Sequence, residues 1–329
     1  MGKKINLEEK IFVAGGSGMV GSAIIRSLKK HNYGNKKEGG EILSPTSEEL
    51  NLAENKNVKE WFRVNKPTIT ILAAGKVGGI LANSSRPTEF ILDNLKIQTN
   101  VIESAWHSGV KRLLFLGSSC IYPKFASQPI SEETLLSGEL EKTNEWYAIA
   151  KIAGIKLCQA LRKQYNFDAF SLMPTNLYGP NDNYHETQSH VIAAFIKRFK
   201  VASENNSQTV KCWGSGSPLR EFLHVDDLAS AVIFCLENWD PSSSSAPKDA
   251  NGDNLNFLNV GCGKDISIKD LAELIADLAG YKGKIDWDLS KPDGTPRKLL
   301  NINKLKSLGW EPKIELREGI QRTLLELNL

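Results

Sequence analysis

Tyr147 and Lys151, four residues apart, are the side chains in this sequence best suited to acid–base chemistry. On a helix this spacing places both side chains on one face, about 5–6 Å apart at Cβ. A lysine ammonium near a phenol lowers the pKa of the phenol, because an adjacent opposite charge favours the charged form. Such a phenol can exchange a proton with a carbonyl or an alcohol near neutral pH. The spacing therefore predicts general acid–base catalysis, although Tyr-x-x-x-Lys also arises by chance in many helices.

A serine precedes this pair in the run Gly117-Ser118-Ser119-Cys120. It directly follows the apolar stretch Leu113–Leu116, which predicts a buried parallel strand. Residues at the carboxyl ends of such strands face the ligand crevice of an open α/β sheet. We therefore expect Ser118 to lie in that crevice, although Ser-Ser pairs are also ordinary in loops.

A glycine-rich turn near the N-terminus predicts a nucleotide site. The short strand Ile11–Ala14 leads into the turn, and an amphipathic helical pattern follows it. Glycines allow a tight turn and bring backbone N–H groups close to a pyrophosphate, which a helix N-terminus also attracts. A dinucleotide is expected here, and a glycine-rich turn without a ligand is the alternative. The expected contacts come from Gly15, Gly16, Ser17, Gly18, Met19, Val20 and Gly21.

The second predicted strand, Glu41–Leu43, bears on the choice between NAD and NADP. An Asp or Glu at its tip would bind the ribose 2′-hydroxyl of NAD and repel the 2′-phosphate of NADP. Here the tip reads Ser44-Pro45-Thr46-Ser47, which offers hydroxyls but neither an acid nor an arginine. The sequence therefore favours NADP, without an evident clamp for the phosphate.

Strands and helices alternate along the chain, which predicts an α/β fold with a doubly wound parallel sheet of the Rossmann type. We expect residues 1–180 to form the dinucleotide-binding domain, with segments at about 220–238 and 256–262 returning to it. Residues 181–329 are expected to form mainly a smaller α/β domain that binds the substrate. The Ser-, Asp- and Asn-rich stretch 239–254 has the composition of a flexible surface insertion.

Composition argues against several classes of protein. The 329 residues carry a net charge of +3, too small to indicate a nucleic-acid surface, and the lysine pairs are scattered. No apolar run approaches the roughly 18 residues of a membrane span, so we expect a cytoplasmic protein without a membrane partner. The five cysteines are odd in number and contain no C-x-x-C pair. A disulfide framework or a zinc site is therefore not expected, and no metal is predicted.

Several blocks of sequence together resemble the extended short-chain dehydrogenase/reductase family. Gly15–Gly21, Ser118, Tyr147 and Lys151 occur in the order usual for that family. Within the family, the chain is similar to the enzymes that epimerise and reduce GDP-4-keto-6-deoxy-D-mannose to GDP-L-fucose. The blocks of this narrower resemblance span about residues 10 to 315 and are Gly117–Pro123, Met173–Pro180, Ser189–Val191, Trp213–Gly216, Arg220–Asp227 and Lys291–Lys298.

The resemblance implies a role for each polar group. Cys120 and His190 would act as base and acid that invert carbons 3 and 5 of a 4-keto sugar, and their ordinary pKa values suit both tasks. NADPH would then reduce C4, with Tyr147 donating the proton. Lys151 would tune Tyr147 and bind the nicotinamide ribose, and Ser118 would hydrogen-bond the C4 oxygen.

The resemblance also implies which residues hold the ligands. Arginines suit a diphosphate through charge-assisted bidentate bonds, and the residues implied for the GDP-sugar are Arg198, Trp213, Arg220 and Lys298. Those implied for the cofactor, besides the glycine turn, are Ala73, Ala74, Leu116, Gly117, Ser118, Ser119, Tyr147, Lys151, Pro174, Thr175, Asn176, Leu177 and His190. A homodimer formed through the helices predicted at 93–108 and 145–165 is a further expectation.

Alternatives stay open at this point. Cys120 can be a buried core residue, and His190 a plain helix-start residue. Arg198 can be a solvated helix residue and Trp213 a core aromatic. A 4,6-dehydratase or a UDP-sugar 4-epimerase of the same fold is a rival function, although a dehydratase usually has Thr-Asp-Glu where this chain has Ser118-Ser119-Cys120. A nucleotide sensor that has lost catalysis is a second rival, against which the intact Ser118, Tyr147 and Lys151 argue.

Overall fold

Strands and helices alternate through the chain, as the apolar pattern predicts. The computed structural model describes residues 3–185, 189–291 and 293–327, so Pro292 in the last of the sequence blocks lies outside the described residues. The strands are β1 (Lys10–Ala14), β2 (Glu41–Leu43), β3 (Ile69–Leu72), β4 (Arg112–Leu116), β5 (Ala169–Pro174), β6 (Asn176–Tyr178), β7 (Thr209–Trp213), β8 (Leu219–His224), β9 (Phe257–Val260), β10 (Asp265–Ser267), β11 (Lys284–Asp288) and β12 (Arg297–Lys298). The helices are α1 (Met19–Lys30), α2 (Asn55–Asn65), α3 (Ile80–Ser85), α4 (Pro87–His107), α5 (Glu145–Tyr165), α6 (Val191–Glu204), α7 (Val225–Asn238), α8 (Ile268–Leu278), α9 (Asn303–Ser307) and α10 (Leu316–Glu326).

A parallel sheet with the strand order β2-β1-β3-β4-β5-β9 forms the centre of the fold. The inner strands are buried along their whole length, which explains why they read as unbroken apolar runs rather than as alternating patterns. The chain passes from β1 to β2 in one direction and from β3 onward in the other. The strand order therefore reverses between β1 and β3, and ligands of such sheets bind at this point beyond the carboxyl ends. The predicted doubly wound α/β fold is confirmed.

A second group of strands builds the smaller unit. β8 lies between β10 and β12, and its carboxyl-terminal half also pairs with β6. β7 and β11 form a separate parallel pair. These strands pack with α6, α8 and α10 around their own apolar core, which includes Ile192, Phe199, Leu271, Ile275 and Ile320.

The segment 220–238, expected to return to the first domain, divides between the two units. Its strand, β8, belongs to the smaller sheet because its backbone pairs with β6, β10 and β12. Its helix, α7, buries Leu228 and Val232 in the core of the central sheet, beside Ile24 and Leu28 of α1. The boundary between the two units therefore falls within one continuous segment, where β8 passes into α7.

The serine-rich stretch 239–254 makes defined contacts in the structure. Trp239 is buried in the main core, and the Asn254 side chain donates to the carbonyl oxygens of Pro241 (3.0 Å) and Ser243 (2.8 Å). The flexibility expected from its composition stays a prediction.

Neither a membrane helix nor a metal cluster is found within residues 3–185, 189–291 and 293–327. None of the helices there is long and apolar enough to cross a membrane. No group of three or more His, Cys, Asp or Glu side chains in the same ranges is placed to hold a metal ion.

Candidate active site

The glycine turn between β1 and α1 packs directly against the end of β3. Gly15 has φ +84°, a conformation that favours glycine, and its carbonyl accepts a hydrogen bond from Gly18 N (3.1 Å). A Cβ atom on Gly15 would lie 2.8 Å from the Cα of Ala74, and one on Gly21 would overlap the Gly15 carbonyl. Close packing of strand, turn and helix therefore requires glycine at positions 15 and 21.

This turn fits a dinucleotide. α1 begins at Met19 with Gly18 as its N-cap, and no side chain within the described ranges caps that end. Backbone N–H groups of the first turn can therefore face a pyrophosphate. Ser44, at the tip of β2, approaches the turn so closely that a Cβ atom on Gly16 would overlap its Oγ. A neutral hydroxyl, rather than a carboxylate, thus lies beside the turn.

Ser118 and Tyr147 meet at the carboxyl end of β4. Ser118 caps a short 3₁₀ turn, Ser119–Ile121, and its Oγ accepts a hydrogen bond from Cys120 N (3.3 Å). A hydrogen bond between the side chains of Ser118 and Tyr147 acts to lower the pKa of the phenol. Phe90 packs edge-on against the Tyr147 ring, with 6.5 Å between the ring centres. The serine and the tyrosine are therefore brought together as the sequence predicts.

The pKa of the Tyr147 phenol is raised, whereas its spacing from Lys151 predicts a lowered value. Burial is the main cause, and the charge that Cys120 can carry adds to it. Lys151 Nζ donates to the carbonyl oxygen of Leu116 (2.9 Å) and lies 5.7 Å from the centre of the Tyr147 ring. The lowered phenol pKa predicted from the spacing is therefore not found in this structure, where desolvation by burial is the largest effect on the phenol. Tyr147 holds its proton at neutral pH.

Lys151 is itself strongly affected by burial. Only 4% of the residue is exposed, and desolvation lowers the pKa of its ammonium to about 8. Its Nζ also lies 4.8 Å from the centre of the Phe115 ring. Gly75 approaches from the other side, since a Cβ atom there would lie 3.5 Å from Nζ. The lysine thus stands beside the loop that leaves β3, where the cofactor is expected.

Cys120 is a buried thiol with cations for neighbours. The pKa of its thiol is raised overall, because burial outweighs the charges of Lys298 and Lys151 and a hydrogen bond with Ser118, which all lower it. Lys298 lies opposite Arg220 in the parallel register of β12 and β8. Burial lowers the pKa of both cations, and the carboxylate of Glu141 acts against that effect on each. The structure therefore brings Cys120, Lys298 and Arg220 into one polar cluster, which is not the setting of an ordinary core cysteine.

Arg198 and Trp213 belong to a neighbouring part of the smaller unit. Arg198 Nη1 donates to the carbonyl of Lys211 (2.6 Å), two residues before Trp213 on β7. Trp213 is 52% exposed and lies under Lys291 Nζ, 5.6 Å from the ring centre, so it is not a core aromatic. Asp293 then links this region to the cations, because it accepts both Ser215 N (3.0 Å) and Ser215 Oγ (2.7 Å) and its charge acts on Arg220.

His190 is the N-cap residue of α6, as its position before the apolar helix predicts. The residue is exposed at the surface, yet surrounding protein atoms desolvate the imidazole and lower its pKa. Within the part of the chain that the structure describes, no hydrogen bond joins it to Cys120 or Tyr147. Its place in a common site with them stays a prediction.

The remaining cofactor residues lie along the same edge of the central sheet. Ala73 N donates to the carbonyl of Ala14 (3.0 Å), which fixes the loop after β3 beside the glycine turn. Thr175 Oγ1 (3.2 Å) and Asn176 Nδ2 (2.8 Å) both donate to the carbonyl of Glu221. Contacts of these residues with a cofactor stay predictions, as they do for Ala74, Leu116, Gly117, Ser119, Pro174, Leu177 and the residues of the glycine turn.

Four polar residues at the site are missing from the sequence predictions. Asn94 is buried in α4, where its side chain accepts from Lys76 N (3.0 Å) and donates to the Lys76 carbonyl (3.0 Å). The others are the acids Glu141, Glu221 and Asp293. The signal for Asn94 was a polar residue on the apolar face of a predicted helix. Glu141 and Asp293 lie in polar stretches without a comparable signal, and Glu221 lies in β8, directly before the apolar Phe222 and Leu223.

The chain is similar to a known family and to proteins with assigned names. The model of the NAD-dependent epimerase/dehydratase family matches residues 11–251. The putative GDP-L-fucose synthase 2 of Arabidopsis thaliana is 55% identical over 314 residues, which cover 95% of this chain and 90% of that protein. The GDP-L-fucose synthase of Escherichia coli K12 is 48% identical over 324 residues, covering 96% of this chain and 95% of that protein.

A solved structure with a similar fold is MlghC, a GDP-mannoheptose C4 reductase from Campylobacter jejuni with NADP bound. It has a TM-score of 0.86 and 33% identity, and the alignment covers 98% of this chain and 99% of that chain. The likeness therefore extends over both the central sheet and the smaller unit.

Proposed function

The chain belongs to the NAD-dependent epimerase/dehydratase family, a group of extended short-chain dehydrogenases/reductases, and we propose that it converts GDP-4-keto-6-deoxy-D-mannose to GDP-L-fucose with NADPH. The relatives named GDP-L-fucose synthase, at 48–55% identity over nearly the whole chain, support this reaction. The observation that carries the proposal is the cluster at the end of β4. There a buried thiol flanked by two lysines shares one site with a protonated phenol. A reductase that does not epimerise has no need of that thiol.

Epimerisation requires an acid and a base on opposite faces of the sugar. The 4-keto group acidifies the C–H bonds at C3 and C5, because the resulting carbanion is stabilised as an enolate. Cys120 is assigned as one of the two groups. Burial holds the pKa of its thiol above the ordinary value, and the charges of Lys298 and Lys151 oppose that effect by stabilising the thiolate that would remove the proton. His190 is assigned as the other, and it would return a proton to the opposite face as an imidazolium. Desolvation lowers the pKa of this imidazole, which makes its imidazolium a stronger acid.

Reduction at C4 uses the tyrosine as an acid. Bound NADPH supplies the hydride for this step. Tyr147, which is protonated at neutral pH, donates its proton to the developing C4 alkoxide. Ser118 hydrogen-bonds the same oxygen, and Lys151 stabilises the phenolate that the donation leaves behind while it binds the nicotinamide ribose.

The ligands are assigned to the two sides of the cleft. Arg220 and Lys298 face the diphosphate of the GDP-sugar, where charge-assisted bonds are strongest. Arg198 and Trp213 bind the nucleoside end, since an exposed indole offers a face for stacking. The glycine turn at the N-terminus of α1 would hold the pyrophosphate of NADP. Ser44 would face its 2′-phosphate, since the β2 tip has no acid to repel it.

A coupled assay in D₂O tests the function. The enzyme, GDP-4-keto-6-deoxy-D-mannose and NADPH should consume NADPH and yield GDP-L-fucose that carries deuterium at C3 and C5. Cys120→Ser should lose deuterium exchange at both carbons by about 10²-fold or more, while its Kd for NADPH stays unchanged, because only the acid–base step needs the thiol. Cys262→Ser, at a more exposed cysteine away from the cluster, is the matched control and should exchange normally.

The rival functions give different outcomes in the same assay. NADPH consumption without exchange would reduce the function to a plain C4 reduction. Normal exchange in Cys120→Ser would remove the assignment of Cys120. No NADPH consumption at all would contradict the proposed reaction. A Tyr147→Phe variant with the same activity as wild type would favour a non-catalytic sensor.

We also propose a homodimer and a cytoplasmic location. α4 and α5 pack against each other, and their outer faces expose apolar side chains, among them Leu92, Trp146 and Ile149. An apolar stripe shared by two packed helices is suited to pair with its copy in a four-helix arrangement.

A further inference from the structure

Glu221 is a fully buried carboxylate next to two residues assigned to the substrate. It follows Arg220 on β8, and no part of the residue is exposed to solvent. A buried charge is costly unless hydrogen bonds satisfy it. Its surroundings therefore have to supply donors, and the origin of those donors indicates what the residue does.

The two carboxylate oxygens bind the two strands that flank β8. Oε1 accepts the backbone N–H of Gly263 (2.6 Å), which leads into β10. Oε2 accepts the N–H of Leu300 (3.0 Å), two residues after Lys298 on the chain that leaves β12. One side chain thus fixes β10 and β12 on either side of Arg220.

The main-chain carbonyl of the same residue faces the cofactor side. It accepts hydrogen bonds from Thr175 Oγ1 and Asn176 Nδ2, in the turn after β5. Gly261, at the end of β9, leaves room for the carboxylate, because a Cβ atom there would overlap Oε1. Glu221 therefore contacts both units of the fold at the place where their strands meet.

We propose that Glu221 is a positioning residue that sets the geometry of the GDP-sugar site relative to the cofactor site. Its carboxylate holds Arg220 and Lys298 in register, and its carbonyl holds the Thr175–Asn176 turn. Neutralising the side chain disturbs mainly the first of these, since the carbonyl belongs to the backbone and the carboxylate reaches the turn only through a hydrogen bond with the Thr175 side chain. The inference rests on the proposed GDP-sugar site.

The experiment measures two affinities in the full-length chain. Glu221→Gln retains the shape of the side chain but places an NH₂ group against one of two backbone N–H donors. We expect the Kd for GDP and the KM for the GDP-sugar to rise about tenfold, and the Kd for NADPH to stay within about twofold. A generally destabilised protein would not separate the two ligands in this way.

Asp227→Asn is the matched control. Asp227 is also buried, and its Oδ2 accepts two backbone N–H groups, those of Lys313 (3.0 Å) and Ile314 (2.8 Å), but it lies on α7 away from the cations. Asp227→Asn should lower Tm about as much as Glu221→Gln does, and it should leave the affinities for GDP and for NADPH within about twofold of wild type. Gly261→Ala, which displaces the carboxylate from the other side, should reproduce the selective loss of GDP affinity.

Each outcome either supports or overturns the proposed role of Glu221. Unchanged GDP affinity in Glu221→Gln and Gly261→Ala overturns the role of Glu221, as does an equal loss of NADPH affinity or a failure of both variants to fold. An equal loss of GDP affinity in Asp227→Asn does so too, because the effect would then be general. Failure of the wild-type chain to bind GDP would instead count against the proposed substrate.

Discussion

Lys151 carries a positive charge into the interior of the molecule, where only 4% of the residue is exposed to solvent. Burial lowers the pKa of its ammonium to about 8 from an ordinary 10.5. One hydrogen bond to the Leu116 carbonyl partly compensates for the lost hydration. Folding therefore carries an electrostatic cost at this residue, which is consistent with the proposed role of the ammonium beside the phenol.

This cost predicts a defined dependence of stability on pH. Between pH 8 and 10.5 the unfolded chain binds a proton at Lys151 that the native chain releases, so the cost is full below pH 8 and fades as pH rises. Lys151→Met has no such cost. Its free energy of unfolding relative to wild type should fall by about 2 kcal/mol between pH 7 and 9.5 in urea titrations. Lys156→Met, at an exposed lysine of the same helix, should show no such change.

At the scale of residues, the sequence locates chemistry that depends on local spacing. Ser118, Tyr147 and Lys151 are found this way, because a strand end and one helical turn suffice to bring them together. Glu221 and Asp293 are not, since the burial of Glu221 and the contacts of both residues depend on segments distant in sequence. The predicted direction of the Tyr147 pKa shift was wrong for a similar reason. The spacing of two residues shows that a charge is near, but it does not show how deeply the phenol is buried.

At the scale of elements, the β1–α1 turn combines a packing requirement with a binding function. Gly21 faces the Gly15 carbonyl and has no space for a methyl group. Gly18 has ordinary backbone angles, with φ −79°, and a Cβ atom there would lie 3.5 Å from the same carbonyl, a normal contact. Substitution of Gly21 therefore tests the packing of the turn, and substitution of Gly18 tests the proposed binding of the cofactor.

Alanine variants at these positions should behave differently. Gly21→Ala should lower the free energy of unfolding of the ligand-free chain by about 2 kcal/mol or more, because helix and turn are forced apart. Gly18→Ala should change it by less than about 1 kcal/mol, yet weaken NADPH binding by crowding the pyrophosphate. Thermal unfolding and fluorescence titration with NADPH measure the two effects. Equal stability of both variants would contradict the packing role of Gly21.

Most elements follow from local sequence, and their ends depend on capping chemistry. α4 begins at Pro87 rather than at the expected Asp93, because proline is well suited to the first position of a helix. α5 and α6 begin where the sequence predicts. The assignment of β8 to the smaller sheet could not be predicted, because its pairing partners β6, β10 and β12 are short strands without a strong apolar pattern.

At the scale of the whole molecule, the apolar stripe on α4 and α5 predicts the state of assembly. Ile149→Glu places a charge in the centre of the proposed helix pairing, so the variant should sediment with the 36.4 kDa mass of one chain, whereas wild type should show twice that mass. Leu325→Glu, at an exposed leucine of α10, is the control and should remain dimeric. A monomeric wild-type chain would contradict the dimer.

The central sheet takes its last strand from far along the chain. β9, at Phe257–Val260, pairs with β5, and α7 covers α1 from a position about two hundred residues later. During synthesis, a nascent chain of which only the first 180 residues have left the ribosome therefore exposes the unpaired edge of β5 and the uncovered face of α1. The central sheet is completed only when β9 and α7, which follow strands of the smaller unit in the chain, have emerged, so the two units mature together.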